Sequence, residues 1–377
     1  MHKSLRIALV VLGLVAVIGA IAFLRPEKPN DTKVVRIGAV LPLTGPVAVF
    51  GTWIRNGLEL AVADINASQS PGGVRIELIV EDSENQAARG LNAASKLVEV
   101  DKVDVLVSAM STVSIPLISF AEEKRIPLLM QDVTYPRVTS QSAWVLRHFI
   151  QSDREAGIMM GFIGRQLQLK RLAILHVNDE AGVGARDALV SLAAAHGSSV
   201  IGIQGFSSTA RDLRSQIIAL LRSNPDGVYV FGNGPSWAAA IRQLREQGYQ
   251  GTIMTNTAMA IDPFRDLAGQ EAVTNIYFTM PYARSQSAGS AKFEQAYQTR
   301  FGEPAPLEAR YAWDLAHLVH LAANRLPSGT GSLIEGLSGL EFDGAFGPVN
   351  VPADRDIRTS VGVAVYRDGK REILHVE

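Results

Sequence analysis

Apolar residues along this chain follow two alternating patterns. Short unbroken runs rich in Val, Ile and Leu read as strands buried on both faces. Between them apolar residues recur every three or four positions, the mark of a helix with one buried stripe. VVRIGAVLPL (Val34–Leu43) is the first run, and Ile54, Leu58, Ala61, Val62 and Ile65 mark the helix after it. RIELIVEDS (Arg75–Ser83) is a second strand, and Ala87, Leu91, Ala94 and Val98 line a second helix. VDVLVSA, starting at Val103, is a third strand, and Ile126–Gln131 a fourth. The alternation begins again at KRLAILHV (Lys170–Val177) and continues through SSVIGIQGF, PDGVYVFG (Pro225–Gly232), TIMTN and NIYFTMPY. Two long helices, about Ser290–Phe301 and Ala309–Arg325, precede a tail that reads as antiparallel strands with a turn at Asp368-Gly369.

Strand–helix alternation predicts parallel sheets with helices on both faces, and two successive runs of it predict two similar α/β lobes. Ligands bind such sheets at the carboxyl ends of the strands. Those ends carry Leu43–Gly51, Ala109–Ser114, Asp132–Pro136, Asn178–Gly184, Gly232–Ser236 and Asn256–Met259, polar loops expected to face one shared cleft. The sharpest signal is in the third unit. Ser111, Thr112 and Ser114 follow a buried strand at once, with Pro116 expected in the first helical turn and Ser114 or Thr112 as its N-cap. Free N–H groups and the positive end of a helix then converge beside two or three hydroxyls, a cradle for a carboxylate. The helix end alone contributes ~0.3–2 kcal/mol, so hydroxyls and a closing lid must supply the rest. The same residues also suit simple helix capping, and both readings stand at this stage.

At 377 residues the chain is too long for one small core, which agrees with two lobes. Lys and Arg total 36 against 37 Asp and Glu, with no basic block, so no nucleic-acid partner is expected. The absence of cysteine excludes disulfides, a thiol nucleophile, Cys-ligated zinc and a lipidated N-terminal Cys. His2, Lys3 and Arg6 precede Ile7–Leu24, an uncharged stretch closed by Arg25-Pro26. This pattern is an export signal, with Ala20-Ile21-Ala22 as a small-x-small cleavage site, or an uncleaved membrane anchor. As a helix it would span ~27 Å against a ~30 Å hydrocarbon core. A linker over residues 25–33 follows, and either reading puts the bulk of the chain in the periplasm or on the outer face of the cytosolic membrane.

LPLTGPVAVFGTWIRNGLELAVADINA (Leu41–Ala67) strongly resembles the opening strand–turn–helix of the type I periplasmic binding proteins, in particular the branched-chain amino-acid binding family of ABC importers. RLAILHVNDEAGVGARDAL and FEQAYQTRFGEPAPLEARYAWDLAHLVHLAA match that family in order and spacing. The resemblance implies two Rossmann-like lobes with parallel sheets, joined by a three-stranded hinge, closing on a small ligand and presenting it to a membrane permease. It places the crossings near Phe149–Asp153, Tyr282–Gln286 and Leu333–Asp343. The first lobe is then residues 34–150 and 285–335, the second residues 151–284 and 336–377. It also implies that Ser111 holds a ligand carboxylate, that Thr134 contacts the substituents of the ligand's α-carbon and that Phe50 lines the side-chain pocket. The second lobe departs from the family. Ala181 stands where a tyrosine is common, Asn233 where an aromatic is common, and Thr257 where amino-acid binders carry the acid that pairs the ligand ammonium.

A ligand ammonium closed into a cleft with no anion beside it costs several kcal/mol. A ligand with a carboxylate or amide and no α-ammonium is therefore one expectation. The rival is that Asp132 supplies the missing charge, and a plain turn residue at Asp132 is the third possibility. Asp314, His317 and His320 lie three apart on one helix and suggest a metal face, but no second cluster supports it. Gly182-Val183-Gly184 is an incomplete dinucleotide fingerprint, there is no nucleophile elbow, and Glu81-Asp82 suits a helix start better than a catalytic pair. The candidate binding residues are Phe50, Ser111, Thr112, Asp132, Thr134, Asn233 and Thr257. No catalytic set, metal or cofactor is expected. The expected partners are a small organic acid, amide or amino acid and a membrane permease, and a monomer is expected. The alternative is a membrane-tethered sensor of the same fold.

Overall fold

A computed structural model describes residues 33–68, 73–282, 287–326, 332–367 and 369–376. The apolar stretch Ile7–Leu24, most of the linker and Asp368 of the expected tail turn lie outside the described residues. Among those described, no helix is long and apolar enough to cross a membrane.

The strands are β1 (Lys33–Leu41), β2 (Val74–Asp82), β3 (Val105–Ala109), β4 (Leu128–Gln131), β5 (Val145–His148), β6 (Arg171–Val177), β7 (Ser199–Phe206), β8 (Gly227–Phe231), β9 (Thr252–Thr255), β10 (Ile276–Pro281), β11 (Glu341–Gly344), β12 (Gly347–Asn350), β13 (Asp356–Ile357), β14 (Val361–Arg367) and β15 (Lys370–Val376). They form two α/β sheets and one hairpin. The first sheet runs β13-β5-β4-β3-β1-β2 and is parallel throughout. The second runs β15-β14-β10-β9-β8-β6-β7, parallel from β10 to β7 and closed by the antiparallel β14 and β15. β11 and β12 make the hairpin.

Period-two alternation divides the first sheet's side chains between two faces. Ile37, Ala39 and Leu41 join Ile54, Leu58 and Val319 in one core, while Val40, Leu106 and Met130 join Leu97, Leu117 and Ala121 in the other. Helix Ala48–Ala67 packs along helix Leu307–Arg325. Their approach needs Gly57, since a Cβ there would meet the Ala309 carbonyl oxygen at 2.3 Å.

Two expectations need correction. The helix after β3 spans Ser111–Lys124, so it starts at the first hydroxyl and Met110 takes the N-cap position. Ser114 is drawn inward instead, its Oγ accepting from Ser108 Oγ at 2.8 Å in a buried bond. Pro116 then sits inside the helix, past the turn where its missing N–H costs nothing. The second correction concerns the tail. β13 pairs in parallel with β5 of the first sheet, Asp356 opposite Arg147, while β14 belongs to the second sheet. The last crossing is therefore Arg358–Ser360, not Leu333–Asp343, and residues 336–377 divide between the lobes. A buried ion pair fixes β13: Arg147 Nη2 and Nε reach Asp356 at 2.6 and 2.9 Å. Gln151, on the first crossing, donates to the same carboxylate. The tail's short polar spacing hid this strand of two residues.

Candidate functional site

β3 ends in a backbone turn at Met110, which has φ of 69°. The Met110 carbonyl accepts from the N–H groups of Val113 and Ser114, at 3.2 and 2.9 Å. That leaves the first two helical N–H groups, those of Ser111 and Thr112, without backbone acceptors among the described residues. Ser111 is 4% exposed, and its Oγ has no hydrogen-bond partner. Thr134 Oγ1, after β4, is also buried and unpartnered. Both residues border a narrow space between the two sheets, with about 70 Å³ of room for the centre of a water-sized sphere. At roughly 10–15 Å³ per water that is several waters or one small solute.

The same space brings together Phe50, Ser111, Thr112, Asp132, Thr134, Asn233 and Thr257, every candidate residue of the sequence reading. Phe50 serves a second purpose there, its ring 5.3 Å from that of Phe264 in the opposite lobe. Thr112 Oγ1 also reaches across, donating to Glu180 at 3.2 Å. The lobes thus touch at two residues that line the space, Phe50 and Thr112. Trp237, by contrast, is core, its indole N–H donating to Thr255 at 2.8 Å. The three metal candidates diverge: Asp314 meets His148 and the Ala345 N–H, His317 turns to Asp64, and His320 to Asn324.

Thr257 has an acid behind it. Glu155, in the first turn of helix Ser152–Phe162, is 2% exposed and borders the space. Its Oε1 accepts from the Thr257 N–H at 3.1 Å, Thr257 Oγ1 at 2.7 Å and Thr279 Oγ1 at 2.6 Å. Oε2 takes no protein donor among the described residues. Burial raises the Glu155 carboxyl above its ordinary range, and these three hydrogen bonds oppose that shift. Position 257 therefore lacks a carboxylate, but its surroundings do not. Sequence reasoning missed Glu155 because an acid in a first helical turn reads as dipole compensation.

Two more carboxyls line the first-lobe wall. Asp132 follows β4 in the left-handed region, with φ of 52°, and burial pushes its carboxyl up to about 7. Glu308, the second residue of helix Leu307–Arg325, is 2% exposed. Burial and then the Asp132 charge push its carboxyl well up. Asp179 completes the set as the N-cap of helix Glu180–Ala193, accepting from the Gly182 N–H at 2.8 Å. The lining holds four carboxyl groups and no Arg, Lys or His.

The model of the periplasmic binding protein family matches residues 34–370. The chain belongs to the periplasmic binding protein family. A relative named Leu/Ile/Val-binding protein BraC3, from Rhizobium johnstonii, is 26% identical over 262 residues, 68% of this chain and 71% of its own length. Among the other curated relatives the match falls to 63% of the relative's length, just under two thirds. The branched-chain amino acid transporter substrate-binding protein LivJ of Streptococcus pneumoniae, solved with isoleucine, superposes with a TM-score of 0.81 at 22% identity, covering 91% of this chain and 100% of that one. A solute-binding protein of an R. palustris ABC transporter, solved with benzoate, gives 0.81 at 19% identity over 91% and 96%. These superpositions establish the shared fold, two α/β lobes around one cleft. Of these three proteins, the first is named a Leu/Ile/Val-binding protein, the second a transporter substrate-binding protein and the third an ABC transporter solute-binding protein.

Proposed function

We propose that this periplasmic binding protein is the extracytoplasmic, monomeric component of an ABC importer and that it closes on a small α-amino acid. The ligand carboxylate lies against the N–H groups and hydroxyl at Ser111, with Thr134 beside it. Its ammonium faces the Glu155 carboxyl across the cleft. One observation carries this reading: buried donors without partners stand on one wall and a carboxyl with a free oxygen on the other. An acid without an ammonium would meet four carboxyl groups and no basic side chain, an unfavourable match. The relatives support the amino-acid class by the names they carry, and the isoleucine and benzoate complexes bracket the ligand size. Export across the cytosolic membrane by the N-terminal stretch and delivery to a permease complete the proposal.

Closure follows from the geometry. A ligand that touches both lobes favours the closed arrangement because only there are both ends of it paired. A thermal-shift screen of amino acids, benzoate and small amides tests the class. A true ligand at ~100 times its dissociation constant adds about 2.7 kcal/mol of stability. Stabilisation by benzoate or an amide, and by no amino acid, would sink the reading.

A further inference from the structure

Among the described residues the buried carboxyls of Glu155, Asp314 and Asp356 have partners, whereas that of the buried Glu308 takes no hydrogen bond from another residue. Asp356 has Arg147, Asp314 has His148, and Glu155 has three donors. Asp132 and Glu308 have no Arg, Lys or His within bridging distance among the described residues. Gln131 ties them together, its Nε2 donating at 3.1 Å both to Asp132 Oδ2 and to the Glu308 carbonyl oxygen. Both residues border the cleft. An acid in a first helical turn answers the helix dipole, which accounts for Glu308 alone. It does not account for a second acid, the half-buried Asp132, lining the same space, where two like charges disfavour each other.

A second observation points to a ligand in this space. Ser111 is 4% exposed and its Oγ has no partner, yet it borders the same cavity. A solute held at Ser111 by its carboxylate extends its side chain among the remaining walls. One of those walls is the acid pair.

We propose that Asp132 and Glu308 together receive a positively charged nitrogen at the far end of the ligand's side chain. The solute is then an amino acid with a terminal amine or guanidine rather than a branched aliphatic one. This rests on the amino-acid reading above and adds the identity of the side-chain end. A cation between the two carboxyls relieves their mutual repulsion, whereas an aliphatic chain leaves Asp132 with the Gln131 amide alone and the Glu308 carboxyl with no donor from another residue.

The test is isothermal titration of the full chain with lysine, ornithine, arginine, glutamine, leucine and norleucine, the last matching lysine without its nitrogen. The expected result is that the best of the three cationic amino acids binds at least tenfold tighter than norleucine, leucine and glutamine. In D132N and in E308Q the lysine-to-norleucine affinity ratio should fall at least tenfold. Circular-dichroism melts establish that each variant folds, and the panel on the unmodified chain decides the matter if one does not. Leucine, norleucine or glutamine binding as tightly as the cationic set overturns this inference and leaves the amino-acid reading standing. Binding of no amino acid at all overturns both.

Discussion

Replacing Ser111 with alanine separates a ligand contact from a structural one. Ser111 Oγ is buried and unpartnered, so its removal breaks no hydrogen bond in the protein itself. Deleting an unsatisfied buried hydroxyl, at a helix start where Ala is at least as good, leaves the unliganded melting temperature unchanged or higher. The ligand loses one hydrogen bond to its charged carboxylate, worth ~1.5–3 kcal/mol. At ~1.4 kcal/mol per decade that weakens Kd about tenfold to a hundredfold. The N–H groups of Ser111 and Thr112 survive the change, which places the loss toward the lower end. Ser114→Ala is the matched control. It breaks the buried bond from Ser108 Oγ at 2.8 Å and should lower stability by ~1 kcal/mol while leaving Kd alone. Calorimetric Kd and thermal melts on both variants read the outcome. If S111A keeps its Kd and loses stability, Ser111 has only a structural part and the carboxylate site lies elsewhere.

Glu155→Ala orphans the Thr257 N–H and the Thr257 and Thr279 hydroxyls, so chemical denaturation should show a loss of at least ~3 kcal/mol, with E155Q losing much less. Arg147→Met leaves Asp356 buried without its cation and should cost ~3–5 kcal/mol in the same assay. Phe264→Ala removes the ring facing Phe50 across the cleft, and should weaken ligand binding by ~0.5–1.5 kcal/mol in titration. The pH dependence has a defined sign. The folded chain holds protons on Asp132, Glu155 and Glu308 more tightly than the unfolded chain does. Their contribution is full below the ordinary carboxyl range and is lost as pH rises, for Asp132 through about 7. Melts between pH 5 and 8 without ligand should therefore decline, and D132N should flatten the curve. A rising curve would contradict the burial of these acids.

The lobes were legible because their strands are buried on both faces and their helices carry a clean stripe. Ser111, Thr112 and Thr134 were legible for a related reason, since polar residues directly after a buried parallel strand have few places to go except the cleft. Glu155, Glu308 and β13 were not. Glu155 meets Thr257 and Thr279 only through the pairing of distant strands, and its local sequence is that of an ordinary helix start. Glu308 becomes a neighbour of Asp132 only because helix Leu307–Arg325 packs beneath β4. β13 has two residues and no periodicity to detect, and its partner Arg147 lies in another part of the chain. Contacts made by packing across long sequence separations decide the charge of this cleft, and local pattern does not carry them.

The most direct measurement is a crystal structure of the full chain with the amino acid that binds it most tightly. The ligand carboxylate should lie within hydrogen-bonding distance of Ser111 Oγ and the Thr112 N–H, with the lobes closed over it and its ammonium toward Glu155. A ligand bound outside the cleft, or turned so that a nitrogen faces Ser111, would contradict the account.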